Sequence, residues 1–519
     1  MYSVKIFSLL KPIFQSEAPE TEKKLKLLKK IATDLQTIKD LSQLCIWDTA
    51  VNMPKSNIED RSWQMTFLAK QNHKQLTDDD IKQLIDFFSN EKQIVQLNAQ
   101  DKAIVRELSR AYRREENISS NVIEDLTNIV TTAEQLWMQN DGKVDFDMFK
   151  PIMEKIVSYK QEIAKSIDAH DTPYNVLLDE YESGMTTKEL DTIFEKLKKE
   201  LIPLIQKLSS KKPDASCITK EYDHKKLLNL SKELLSTIGF DLTRGVLGES
   251  SSLFAVNIAS NDVRLTTTIE GNNLNATFAN ILHEGGHGIN YQSIDPKLAK
   301  TPLFDAVSLG ADESIARLFE QIIGLSQPFW KFYFPRLQER FPEQLKNTTF
   351  EDFYKAMNSV NMTCSWYESD ELTSNLHIIM RYEIERDLVN GKISVSDLPR
   401  IWNEKMQKYF GLKPTLDNEG PLQNSYWASG EFGYLPLYTI GNLYAAQIFN
   451  TMKKEIPGID DQISKGDFKN LVGWLKNNVC KYGKLETPKE MILRVSGEPL
   501  NIDHYINHIK EKYKEIYKL

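Results

Sequence analysis

The sequence predicts a mainly α-helical protein with one small β element, and two patterns carry that reading. Apolar residues recur every three or four positions across Leu25 to Leu41, Ile156 to Ile167, Leu190 to Leu201 and Leu227 to Ile238, with charged residues between them. That is the spacing of helices with one buried stripe. A single segment departs from it: from Asp262 to Glu270 the chain is rich in β-branched residues and alternates Val263, Leu265, Thr267 and Ile269 against Arg264, Thr266 and Thr268. Period two in such residues is the mark of a strand.

Taken in order, residues 1–23 read as an N-terminal extension. Lys5 and Lys11 leave only Ile6 to Leu10 as an apolar run, and no small-residue cleavage site follows it. Residues 24–519 read as one helical unit. Its 22 glycines and 19 prolines stand as single punctuation marks, at Gly391, Pro399, Pro457-Gly458 and Gly497, and nowhere form a linker. No internal repeat divides it.

Composition excludes several classes. With 519 residues, 41% hydrophobic and 27% charged, the chain has ample material for a core and is neither disordered nor collagen-like. Its 65 basic against 73 acidic residues give a net charge of -8, which repels a phosphate backbone, so no nucleic-acid partner is expected. The longest apolar stretch, Tyr434 to Phe449, is broken by Pro436, Thr439, Asn442 and Gln447 and is too short to span a bilayer, so no membrane partner is expected. The four cysteines, Cys45, Cys217, Cys364 and Cys480, lie far apart, which fits a reducing, cytoplasmic compartment better than a disulfide framework.

The informative motif is His283-Glu284-Gly285-Gly286-His287, a His-Glu-x-x-His on a predicted helix. Positions i and i+4 share a helical face, so both imidazoles can meet one metal ion, while Glu284 is placed to reach a water on that ion. Zinc held by three protein groups lowers the pKa of such a water toward ~7 and polarises a carbonyl under attack. Gly285, Gly286 and Gly288 weaken the helix, and a close backbone approach would account for them. The strand just upstream is one way to hold an extended peptide by main-chain pairing. A third ligand is expected from the next helical stretch, Leu309 to Glu320, where Glu313 is the first choice and Asp312 and Glu320 are the competitors. His377, in an apolar run, and His504 and His508, in a Lys-rich helix without the Glu, read as a core and a surface feature.

These residues resemble the carboxypeptidase Taq family of zinc metallocarboxypeptidases, whose third ligand is the Glu of a His-Glu-Ser-Gln motif. Asp262-Val263-Arg264-Leu265-Thr266 is similar to its Asp-x-Arg-x-Thr motif, and Gly420 to Trp427 is similar to its Gly-x-x-Gln-Asp-x-His-Trp. Further matches lie at Trp47-Asp48, Met53-Pro54, Asp370 to Ile379, Gly430 to Tyr438 and Gly497 to Leu500, so the resemblance spans residues 24–519. It implies a large helical metallopeptidase fold with a deep substrate groove and a small β element near the zinc helix. It also implies one zinc ion per subunit (cobalt or another divalent metal serving in vitro) on His283, His287 and Glu313, and Glu284 as general base. Tyr434 and Tyr438 are the implied phenols at the oxyanion, and Asp262, Arg264, Thr266, Gln423, Tyr426 and Trp427 the implied substrate-binding set. The expected activity is removal of C-terminal residues from peptide substrates by a cytoplasmic homodimer.

The chain departs from the family at four places. Ser252-Leu253-Phe254 stands for His-Pro-Phe, and Asp312-Glu313-Ser314-Ile315 for His-Glu-Ser-Gln. Trp366 stands for the arginine of Ile-Arg-x-x-Ala-Asp, and Tyr426 for a histidine. Trp cannot fork onto a carboxylate as Arg does, which leaves Arg264 as the expected anchor for a free C-terminus. Two alternatives therefore stand beside the carboxypeptidase: a zinc oligopeptidase of shifted specificity, and a zinc-stabilised helical scaffold that binds peptides or a partner without turnover. Glu284 argues against the last, since a structural site has no use for a base.

Overall fold

Sequence-local signals set the helix ends. In the computed structural model, which describes residues 19–139, 145–211, 213–415 and 419–518, the predicted stripes all lie in helices. They occupy Glu20–Val51, Phe146–Ile167, Thr187–Ser209 and His224–Ile238. Thr186 and Glu189 form a reciprocal capping box at the third of these, and Asp223 caps the fourth, which stops at Gly239 with φ 108°. Leu190, Phe194, Leu197 and Leu201 are all buried, each contributing roughly 1.5–3 kcal/mol. Of the expected extension, residues 1–18 lie outside the described residues, and Glu20 already opens the first helix.

Three helices carry the site. The histidine helix, Leu274–Ser293, is capped by Asn273, whose side chain accepts from the Ala276 N–H. The glutamate helix, Leu309–Arg317, is capped by Ser308 and runs into a π-helical turn, Leu318–Ile323. The tyrosine helix, Pro436–Glu455, starts on a proline at its first turn. Glycines set their separation. A Cβ on Gly286 would meet the Ala316 Cα at 2.6 Å and the Ile315 carbonyl at 2.7 Å, and one on Gly441 would meet the Glu313 Cβ at 2.7 Å. The glutamate helix is thus pressed backbone to backbone between the other two, which accounts for a glycine inside the His-Glu-x-x-His motif.

The β element is a three-stranded sheet: β1 (Gly245–Glu249), β2 (Ala255–Ala259) and β3 (Asp262–Thr267), in the order β1-β3-β2. The predicted strand is β3, ending three residues early. It lies in the middle, parallel to β1 (Val246 opposite Arg264) and antiparallel to β2 (Val256 opposite Arg264), so its own edges are already paired. This corrects the expectation that β3 could itself hold a peptide; the free edges of the sheet belong to β1 and β2. Both neighbours were invisible as strands because they are only five residues long and β1 begins and nearly ends on glycine. The first helix packs on this sheet through the Trp47 indole N–H, which donates to the Leu265 carbonyl at 3.1 Å.

Candidate metal and peptide site

The i, i+4 spacing places His283 and His287 with their Nε2 atoms 3.2 Å apart and their rings edge to face. Glu313 approaches from the glutamate helix, Oε2 lying 3.8 Å from His283 Nε2 and Oε1 3.9 Å from His287 Nε2. Among the described residues, these three form the cluster whose ligand atoms, all within 4.8 Å of one another, could hold a metal ion. Asp312 and Glu320, the competing acids, face the other side of the imidazoles. Glu320 Oε2 lies 2.7 Å from His283 Nδ1, and Asp312 Oδ2 lies 3.1 Å from His287 Nδ1. Each histidine is thereby oriented with Nε2 toward Glu313.

The donor set fits zinc: two imidazole nitrogens and one carboxylate converge, with Glu320 hydrogen-bonded to the outer nitrogen of His283 and Asp312 in ion-pair contact with that of His287. Buried, unpartnered oxygens on Glu284 (Oε2) and Glu313 (Oε2) show that the protein alone does not satisfy the cluster. Burial works against a charge on His287, but Asp312, Glu313 and Glu284 outweigh it and raise the imidazolium to about 10. Burial likewise raises Glu284, which is 3% exposed, while the histidines beside it oppose the shift.

The phenols gather next to the cluster. The Tyr426 and Tyr438 hydroxyls are 2.7 Å apart, Tyr434 stacks on Tyr426 at 5.1 Å, and the Trp366 ring lies 5.5 Å from that of Tyr438. Burial raises the pKa of all three phenols, so they remain protonated donors at neutral pH. Two cavities flank this centre. One, of about 490 Å³, has Leu253, Arg317, Glu320, Trp366 and Tyr438 in its wall; the other, of about 530 Å³, has Ala255, Asn257, Tyr291 and Asp312. The segment through β2 borders both.

The remaining predicted site residues sit elsewhere. Arg264 forks onto Asp262 with two bonds of 2.9 Å and lies over the Trp47 ring, and Thr266, 0% exposed, donates to Ser252 and Phe254 carbonyls. These three pin the sheet and line neither cavity. Gln423 is spent inside the protein, accepting from Trp366 N–H and Arg381 Nη2 and donating to the Cys364 and Glu419 carbonyls. Trp427 donates to the buried carboxylate of Glu385, which also accepts from Tyr174 and the Gly433 N–H. His377 is a core residue stacked on Phe410. Sequence reasoning passed over Arg317, although its place one turn after Glu313 on the same helical face was a usable signal.

Comparison with known proteins gives the family and the fold. The family model described as "Carboxypeptidase Taq (M32) metallopeptidase" matches residues 27–513. "Carboxypeptidase 1" of Bacillus subtilis (strain 168) is 35% identical over 475 residues, covering 91% of this chain and 94% of that one. Among solved structures, a Pyrococcus furiosus carboxypeptidase superposes with a TM-score of 0.90 at 32% identity, covering 96% of this chain and 99% of its own. The M32 carboxypeptidase from Deinococcus radiodurans R1 does so with 0.91 at 29%, covering 96% and 100%. With a helical fold, a His-His-Glu cluster and matches over nearly its whole length, the chain belongs to the carboxypeptidase Taq (M32) family of metallopeptidases, which are peptide hydrolases.

Proposed function

We propose that this protein is a zinc-dependent carboxypeptidase that releases C-terminal residues from peptides. The observation that carries the reading is the convergence of His283 Nε2, His287 Nε2 and Glu313 beside the buried, unpartnered carboxylate of Glu284. His283, His287 and Glu313 would hold the ion, which when bound supplies a polarised carbonyl and an acidified water. Glu284 takes the proton of the attacking water and passes it to the departing amine; its raised pKa suits both transfers. The Tyr438 hydroxyl, kept neutral by burial, donates to the developing oxyanion, with Tyr426 and Tyr434 fixing its direction.

An extended peptide would lie along β2, whose edge away from β3 has main-chain groups to pair with it. The four cysteines, all free thiols, support a cytoplasmic location; the homodimer is proposed on the family resemblance alone. No helix among the described residues is long and apolar enough to cross a membrane.

A second reading, internal cleavage by an oligopeptidase, is favoured by Trp366, an indole in the cavity wall where the family resemblance calls for an arginine. Mass spectrometry of a ten-residue peptide, free and C-terminally amidated, incubated with zinc-loaded protein and with Glu284→Gln, separates the two. A one-residue ladder on the free peptide alone establishes the carboxypeptidase; internal cuts on both peptides establish the oligopeptidase. Cleavage undiminished in Glu284→Gln would sink both.

A further inference from the structure

We infer that Arg317 is the specificity-determining residue for the peptide's C-terminal carboxylate; the inference rests on the carboxypeptidase reading above. Trp366 offers no charge and Arg264 is occupied by Asp262 outside both cavities, so an anchor must come from elsewhere. Among the described residues, Arg317 is the one cation in the wall of the cavity that holds Tyr438, whose other charged groups are the carboxylates of Glu270, Glu320, Glu368, Asp370 and Glu371. A free carboxylate entering there has a single favourable place to go.

The guanidinium is set for that contact. Nη1 alone carries the two bonds to Glu320, at 3.0 and 2.9 Å, while Nε is buried without a hydrogen-bond partner, 3.7 Å from Glu313 Oε2. Nη1 is thus fastened to Glu320 and Nε faces Glu313, which leaves Nη2, without a hydrogen-bond partner among the described residues, for an incoming acceptor. The Tyr438 ring, 5.0 Å from Cζ, supports the guanidinium plane. Because Arg317 follows Glu313 by one helical turn, a carboxylate held there belongs to the residue just beyond the bond being cut. In the second cavity the cations are already engaged: Lys39 and Lys484 share Asp305, and Arg110 donates to the Asp179 and Glu180 carbonyls.

The test compares kcat and KM on one peptide as free acid and as C-terminal amide, for zinc-loaded wild type, Arg317→Gln and Arg317→Lys. Wild type is expected to prefer the acid by roughly 30-fold or more in kcat/KM, and Arg317→Gln to lose most of that preference through KM for the acid. Arg317→Lys, which keeps charge without the fork, should fall between. Zinc content and thermal unfolding are read alongside. Equal losses on acid and amide, with the preference intact, would mean that Arg317 acts only through Glu320 and His283 and would overturn the inference. So would a wild type that cuts both forms equally well.

Should Arg317→Gln not fold, binding of the two peptides to Glu284→Gln, with Arg317→Lys in the same background, decides the matter. Acid and amide binding alike would overturn it, and acid binding better only while the fork is present would support it. Absence of cleavage by wild type on either peptide counts against the proposed function instead.

Discussion

Asp312 Oδ2 lies 3.1 Å from Nδ1 of His287, and the same carboxylate accepts from Tyr291 at 2.6 Å and Asn290 at 2.7 Å. A carboxylate behind a ligating imidazole fixes its orientation and makes the far nitrogen a stronger donor. Asp312→Asn should therefore lower zinc affinity by about 10–100-fold. Competition with a chromophoric chelator measures this, and unchanged affinity would deny Asp312 that part.

Glu284 is buried and its Oε2 has no hydrogen-bond partner, so Gln fits the same space without the base. Glu284→Gln should keep zinc within a few-fold and lose about 10²–10⁴-fold in kcat. Steady-state kinetics with metal analysis checks both halves.

Gly286 meets Ala316 with no room for a Cβ, whereas Gly473, also helical, has nothing within 4 Å. Gly286→Ala should destabilise by about 1–3 kcal/mol and lower zinc affinity as the two ligand helices part. Gly473→Ala should be neutral or stabilising by up to ~1 kcal/mol. Urea unfolding of the pair gives the comparison, and equal effects would contradict the packing argument.

Glu385 organises the segment that bears Tyr426 and Tyr434, and burial raises its carboxyl to about 7, against hydrogen bonds from Gly433, Trp427 and Tyr174. The folded state holds this proton more tightly than the unfolded chain, whose carboxyl titrates near its ordinary value. The group's contribution is therefore complete below about pH 4.5 and is lost as pH rises to about 7. The stability difference between wild type and Glu385→Gln should shift against wild type between pH 5 and 8, by on the order of 3 kcal/mol at most. Denaturant titrations at the two pH values read it directly; a difference independent of pH would mean Glu385 is ionised throughout.

If zinc is the ion held at this site, as proposed, removing it would leave Glu284, Asp312, Glu313 and Glu320 around two histidines without the ion's charge. Chelation should lower the unfolding midpoint by several degrees, and added zinc should restore it with a concentration dependence set by its affinity. A midpoint indifferent to metal would argue against zinc as the resident ion.

The sequence by itself determined what depends on near neighbours. Helical stripes, the caps at Thr186 and Asp223, and the shared face of His283 and His287 follow from 3.6 residues per turn, and the pattern is complete within a few positions. What only the tertiary structure decided is which distant groups meet. Asp312 and Glu313 on the glutamate helix and Glu320 on the π-helical turn that continues it are alike as acids, and their different places around the imidazoles arise from backbone contact at Gly286 and Gly441 and from that turn. Arg264 and Arg317 are alike as cations; one is spent on Asp262 and the sheet while the other faces the cavity, because pairing partners are chosen by packing between elements. The strands β1 and β2 exist through their register with β3, a contact that five residues of either could not announce alone.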